Sequence, residues 1–337
     1  MIEAFGAPKP DIFASPTLHA RMRAEFRLWH PKPPSSGGAF YAMFEKNNKF
    51  DPIKIEQFPI ASQCIAEVMQ PLLDVINQSP PLLDKLFQIE FLSSSIDQLV
   101  ITLIYHKPLN ADWEAAARAL ENQFNASIIG RSRKQKIVLS KDYIIEKLTI
   151  DNIEYQYQQK ENSFTQPNAA INQQMIQWVS NKVALQTPSQ NDIDLLELYC
   201  GNGNFTIPLA KHFNKVLATE IAKSSIASAQ LNCQFNHSDN IEFVRLSGEE
   251  TASALNNERT FRRLKHIDLA DYNFGYVFVD PPRVGIDLKT IRLIQRFDSI
   301  IYVSCNPESL ADNLTTLTKT HKICLLYTSD AADDQAC

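Results

Sequence analysis

The sequence contains no run of about 18 apolar residues, so a membrane-spanning helix is not expected. Its first residues, MIEAFGAPKPDIF, lack the basic stretch and apolar core of a secretory signal. The expected compartment is therefore the cytoplasm. None of the six cysteines, Cys64, Cys200, Cys233, Cys305, Cys324 and Cys337, has a partner at C-x-x-C spacing. Zinc and iron–sulfur sites need several converging thiolates, so no metal site is expected. A disulfide framework is not expected at this size and in this compartment. Internal repeats are absent. A net charge of −5 does not announce a nucleic-acid partner. Local basic clusters remain at Arg21, Arg23 and Arg27; at Arg131, Arg133, Lys134 and Lys136; and at Arg262, Arg263 and Lys265. Most such clusters are solvated charged faces.

What is there reads as an ordinary globular protein, with 44% hydrophobic and 21% charged residues over 337 positions, long enough for two domains. RMRAEFRLWH alternates, with Met22, Ala24, Phe26 and Leu28 on one face and Arg21, Arg23, Glu25 and Arg27 on the other. Period two predicts a half-buried strand. PKPPSSGGAF, residues 31–40, predicts a loop tip. A helix is expected over about 60–77, and strands over 99–105, 127–129 and 136–139. Thr165 and Pro167 predict the cap and first turn of a further helix. Gln186 to Asp192 is a polar break. From there DLLELYC, KVLATE, IEFVRL, YVFVD and SIIYVS alternate with helical stretches, the rhythm of a doubly wound parallel sheet. The expected organisation is an α+β domain over 1–160, an α/β, Rossmann-like domain over 161–322, and an atypical, disordered tail over 323–337.

The first strand of the α/β half ends in Tyr199-Cys200-Gly201-Asn202-Gly203-Asn204. Glycines there let a ligand approach the backbone closely. A third glycine, which a dinucleotide fingerprint would place three residues on, is Thr206 instead. The second strand ends in Glu220, an acid suited to ribose hydroxyls. A glycine turn plus that acid, without a phosphate cradle, suits S-adenosylmethionine, with NAD the lesser alternative. Two prolines after Asp280 give a rigid exit that fixes this acid at the carboxyl edge of the sheet. Cys305 closes the next strand, before Asn306-Pro307. If the two strands are neighbours, Asp280 and Cys305 emerge roughly 5 Å apart. Cys305 reads as a nucleophile rather than a core filler.

RMRAEFRLWH, LFQIEFL, LIYHK, ENSFTQPNAA, LLELYCGNGNF, LATEIAK, FVDPPRVG and SCNPESL together resemble the tRNA (uracil-5-)-methyltransferase family, within the RNA 5-methyluridine methyltransferases, over about residues 16–323. The resemblance implies an RNA-recognition domain followed by a methyltransferase domain. It implies methyl transfer from S-adenosylmethionine to C5 of the T-loop uridine. Uracil C5 is a weak carbon nucleophile; a thiolate adding to C6 makes it electron-rich. By resemblance Cys305 is that nucleophile and Asp280 a catalytic acid residue. Gln166, Tyr199, Asn204, Glu220 and Asp280 would contact the cofactor; Arg27, Phe87, His106 and Phe164 would contact RNA. The partner would be the tRNA T-arm, and the protein a monomer. Ribosomal-RNA relatives carry a cysteine-ligated iron–sulfur cluster, for which this sequence has no cysteine pattern; that favours tRNA.

The ends depart from the family. An opening helical segment is expected to be missing, as is the last strand, which would leave a sheet edge unpaired. The family's His-x-Glu, whose Glu would remove the C5 proton, occurs nowhere in the sequence. ICLLYTSDAADDQAC is expected to be disordered and reads as a foreign or frameshifted ending. Stalling as a covalent adduct follows as an expectation. Two other readings stay open: a tRNA-binding or folding protein without catalysis, and a methyltransferase acting on another RNA or on an amino group.

Overall fold

The computed structural model describes residues 2–31, 37–45, 48–186 and 192–329. The loop tip expected over 31–40, the polar break at 186–192 and the end of the tail lie partly or wholly outside these. The chain divides into two compact units: residues 15–147 with 159–170, and residues 1–14 with 148–158 and 171–337. The division is therefore not one cut near residue 160. A short N-terminal strand, β1 (Asp11–Phe13), belongs to the second of these units because it pairs with a strand from the far end of the chain.

The unit built on residues 15–147 contains β2 (Arg23–Trp29), β3 (Phe40–Glu45), β4 (Asn48–Ile55), α1 (Gln63–Gln78), α2 (Pro80–Leu83), β5 (Leu86–Ser93), β6 (Leu99–Tyr105), α3 (Ala111–Phe124), β7 (Ser127–Ser132) and β8 (Gln135–Val138). Its seven-stranded sheet runs β4-β3-β2-β5-β6-β7-β8. All ladders are antiparallel except β6–β7, where α3 makes the crossover that a parallel pair requires. The alternation in β2 is realised: Ala24, Phe26 and Leu28 are buried under α1 and α3 among Ile65, Leu72 and Trp113. The outer face is not uniformly solvated. Arg21 is only 7% exposed and its Nε donates to the Arg23 carbonyl. Arg23 in turn donates to the Glu161 carbonyl at 2.9 Å. Of the first basic cluster only Arg27 is exposed. Arg131 and Lys136 of the second cluster bind the buried Glu161 carboxylate.

A hairpin follows, β9 (Tyr143–Ile150) and β10 (Ile153–Lys160). Asp151 and Asn152 both have positive φ at its tip, the backbone a two-residue turn needs and these residue types tolerate. The next helix, α4 (Ala169–Gln186), begins later than Thr165 and Pro167 predict. The Pro167 carbonyl accepts from Met22 N, and Asn168 bridges Arg21, so this stretch is spent on strand-like pairing.

The second unit's sheet is β11 (Asp194–Leu198), β12 (Val216–Thr219), β13 (Ile241–Val244), β14 (Phe274–Val279) and β15 (Ser299–Tyr302), all parallel in the order β13-β12-β11-β14-β15. On one face lie α4, α5 (Thr206–Ala210) and α6 (Lys223–Phe235), packed through Ile176, Ile207 and Cys233. On the other lie α7 (Gly248–Leu255), α8 (Leu288–Ile294) and α9 (Pro307–Leu317), packed through Ala252, Ile291 and Leu317. This is the doubly wound α/β fold the sequence predicts. β15 is an edge strand among the described residues. The tail's described part is ordered, against expectation: β16 (Tyr327–Ser329) pairs in parallel with β1. The Tyr327 ring lies 4.9 Å from Phe13 and 5.6 Å from Trp178. These ring contacts add to the ladder bonds with β1 in holding residues 327–329. No helix among the described residues is long and apolar enough to cross a membrane, and no cluster of residues among them fits a metal ion.

Candidate active site

In the parallel unit the candidate residues gather at the carboxyl ends of the strands. β11 ends in Tyr199, whose φ of +62° is uncommon for a bulky side chain. It is held there by close packing: a Cβ at Gly248 would stand 2.7 Å from the Tyr199 hydroxyl and 2.8 Å from Thr290 Oγ1. A side chain at Gly248 would displace the Tyr199 hydroxyl or Thr290. Burial pushes the Tyr199 hydroxyl up to about 12, so it stays a donor. Gly203, with φ +84°, completes the turn, and a Cβ on it would press on Ile207.

Glu220, after β12, accepts from Gly201 N at 3.2 Å and from Ala222 N at 2.6 Å. It ties the glycine turn to the second strand end. Asn204 is held by a reciprocal amide pair with Asn172 of α4, at 2.8 and 2.9 Å, and its carbonyl accepts from the Tyr157 hydroxyl. Asn172 is 3% exposed and was not singled out by the sequence, since the pair joins positions 32 residues apart.

β14 and β15 are neighbours, with Val279 opposite Tyr302 and Val303 N donating to the Val279 carbonyl. Continuing that register puts Asp280 level with Val303 and Cys305 two residues further out. Loss of hydration pushes the Asp280 carboxyl up to about 7. Cys305 is exposed, while Cys200 and Cys233 are buried in the core. Asn306 caps α9, its Oδ1 accepting from Glu308 N, and its Nδ2 donates to the Arg283 carbonyl. The cysteine thus sits one residue outside a helix N-terminus and is flanked by the loop that follows Asp280.

Beneath this edge lies a carboxyl the sequence reading passed over. Glu197 of β11 is 1% exposed, and its Oε2 has no hydrogen-bond partner among the described residues. Burial, aided by the Asp280 charge, pushes it up to about 8. Ionised and unpaired it would cost several kcal/mol; neutral, an unpaired polar atom costs about 1–3 kcal/mol, so the protonated form wins at pH 7. A charged residue inside the apolar run LLELY was the available signal.

Donors and space fit an adenosyl group. No heavy atom lies within 4 Å of a Cβ built on Gly201, so the turn is open for close approach. The acid at the end of the second strand suits the ribose hydroxyls.

In the other unit Arg27, Phe87 and His106 form one stack. The Phe87 and His106 rings are 4.3 Å apart and 21° from parallel, and the Arg27 guanidinium lies 5.0 Å over Phe87 and 5.4 Å over Phe44. Phe87 is not a core residue. The β5–β6 register shifts between Leu86 and Gln88, so Phe87 is the extra residue of a bulge, turned out beside Gln88. Phe164 is 73% exposed. Phe164 and Gln166 lie on the 159–170 segment of this same unit.

The sequence profile of the tRNA (Uracil-5-)-methyltransferase family matches residues 1–331. A tRNA/tmRNA (uracil-C(5))-methyltransferase of Cellvibrio japonicus is 51% identical over 327 residues, spanning 97% of this chain and 87% of that one. One of Saccharophagus degradans is 50% identical over 314 residues, spanning 93% and 84%. Among solved structures, the tRNA (uracil-54, C5)-methyltransferase of Pyrococcus abyssi, in complex with S-adenosyl-L-homocysteine, aligns with a TM-score of 0.65 at 19% identity. It covers 94% of this chain and 74% of that one, a likeness of fold.

Proposed function

The chain belongs to the tRNA (uracil-5-)-methyltransferase family, whose members use S-adenosylmethionine, and from that premise we propose that it methylates C5 of the T-loop uridine of tRNA through a covalent bond from Cys305 to C6. The observation that carries this reading is the meeting of exposed Cys305, Asp280, Glu220 and the glycine turn at one edge of one sheet. When bound, the cofactor supplies an electrophilic methyl group on a sulfonium. The Cys305 sulfur attacks C6 as an anion, and the N-terminal end of α9 is where an anion is favoured. The electron pair displaced from the C5–C6 bond forms the enolate, and C5 then takes the methyl group. When the C5 proton is removed, the pair of the C5–H bond re-forms the C5–C6 double bond, and the C6–S bond breaks with its pair leaving on the cysteine sulfur.

Glu220, Tyr199, Asn204, Asp280 and Gln166 are assigned to the cofactor, with Asp280 also facing the reacting base. Arg27, Phe87, His106 and Phe164 are assigned to RNA, where aromatic faces receive unstacked bases. The proposed setting is the cytoplasm, with one chain acting alone on the T-arm.

Incubation with uridine-containing tRNA and methyl-labelled cofactor, followed by a denaturing gel, tests the reading. Label in tRNA as 5-methyluridine, passing through an RNA-linked band that Cys305→Ala abolishes, is expected. A band that survives Cys305→Ala, or methyl on an exocyclic nitrogen, would remove the proposal.

A further inference from the structure

The third basic cluster has no place in the site described above, and it adjoins a groove. Residues 258–266 and 289–296 hold seven Lys or Arg and one acid, in a chain of net charge −5. On α8, Thr290, Ile291, Leu293 and Ile294 are buried, which leaves Lys289 and Arg292 on the outer face, and exposed Arg296 follows just past the helix end. Together with the end of α7 they line a groove of about 550 Å³, with Leu288 at its mouth. The groove lies beside the loop that leaves Asp280.

Its cations are already placed. Lys289 donates to Ser253 at 2.7 Å and to Glu258 at 2.5 Å. Arg296 donates to Asn256 Oδ1 at 2.7 Å. Arg292, between them, has no acidic partner among the described residues. Arg259, packed 5.0 Å over the Phe261 ring, and exposed Arg262 and Lys265 continue the positive surface past Glu258. Arg263 pairs with Glu250 of α7 and Lys289 with Glu258; in the groove itself the neutralising contact is the Lys289–Glu258 surface pair, worth about 0–1 kcal/mol, so Glu258 is easily exchanged for a stronger anion. With three cations and one acid in its lining the groove keeps an excess of positive charge, which attracts anions. Single small anions would not need a stripe of this length; a polyanion with regularly spaced charges does.

We infer that the groove between α7 and α8 binds backbone phosphates of the tRNA body outside the T-arm. The inference rests on the proposal that the chain acts on tRNA. Phosphate contacts position a nucleic acid without reading its sequence, so the groove adds affinity and orientation and leaves the choice of uridine to the site.

The test uses the full chain carrying Arg292→Glu with Arg296→Glu, and separately both as Lys. Binding to whole tRNA and to an isolated T-arm hairpin is measured across a salt series. The Glu pair is expected to weaken whole-tRNA binding about 10-fold or more and to lower the slope of log affinity against log salt by about 1–2. Hairpin binding and labelling of the hairpin should be unchanged, and the Lys pair should behave as the unchanged chain. Whole-tRNA affinity and salt slope unaltered by the Glu pair would overturn the inference. So would equal losses on hairpin and whole tRNA, which mean general damage, or loss of heparin binding with tRNA binding intact, which assigns another polyanion. If the unchanged chain neither binds nor labels the hairpin, the tRNA proposal itself falls and the groove's assignment with it.

Discussion

The two units place their candidate residues in opposite ways. In the parallel unit every one comes from a loop at a strand's carboxyl end, and the strands beneath are buried on both faces. In the mixed-sheet unit Arg27 and Phe87 project from strands β2 and β5 on the face opposite the main core, a face that is covered around Leu92, Val100, Ile129 and Ile144 and open around the Arg27–Phe87–His106 stack. The difference follows from layers. A sheet covered by helices on both sides offers ligands nothing but its ends, whereas a sheet whose second face is only partly covered offers a platform where it is open. Small polar ligands suit the first and flat, stacking groups the second.

Mutations can break that contrast or sharpen it. The largest effect is expected from Cys305→Ala, which should lower methyl transfer by at least about 10³-fold while cofactor affinity, measured by calorimetry, stays within about twofold. Loss of cofactor binding in that variant would mean the sulfur supports the loop rather than the reaction. Next comes Glu197→Gln. Glu197 holds its proton in the fold up to about pH 8, while the unfolded chain releases it near 4.5. Its contribution to stability is therefore fully present below about pH 4.5 and is lost as pH rises toward 8. Asp280, raised to about 7, acts in the same direction and remains in the variant. Urea unfolding at pH 5, 7 and 9 should fall with pH in the unchanged chain and fall less, by a few kcal/mol at pH 9, in Glu197→Gln. Parallel curves would show that the buried acid is not the source.

Phe87→Ala should weaken RNA binding by about 1–3 kcal/mol, the worth of one stacked base, and leave cofactor affinity alone. An equal loss of cofactor affinity would erase the distinction between the units. The smallest effect is expected from Asn172→Leu. Leaving the Asn204 amide unpaired should raise the KM for cofactor about 5- to 10-fold, a cost of about 1 kcal/mol, with kcat little changed. A fall in kcat at constant KM would place Asn204 on the reacting base instead.

The parallel unit was legible because its strands are apolar runs that stop at chemistry. Glu220, Asp280 and Cys305 each follow such a run, and parallel pairing brings the ends together without further information. What stayed hidden depends on distant partners. Nothing near Asn172 announces Asn204, and nothing near Arg23 announces that its guanidinium will donate to the Glu161 carbonyl, 138 residues away. The late start of α4 has the same cause: Pro167 and Asn168 are claimed by Met22 and Arg21, across more than 140 residues. The tail misled through its acidic end. Tyr327 has its own apolar partners in Phe13 and Trp178, and these decide where residues 327–329 go.

The bulge at Phe87 has an evolutionary reading. One inserted residue turns a ring outward while Leu86 and Ile89 keep their places in the core. Removing it would let the strands pair evenly again, and the sheet would survive without its stacking surface. Gain or loss of a single codon is thus enough to give such a sheet an outward aromatic ring, or to take it away, with the fold left standing.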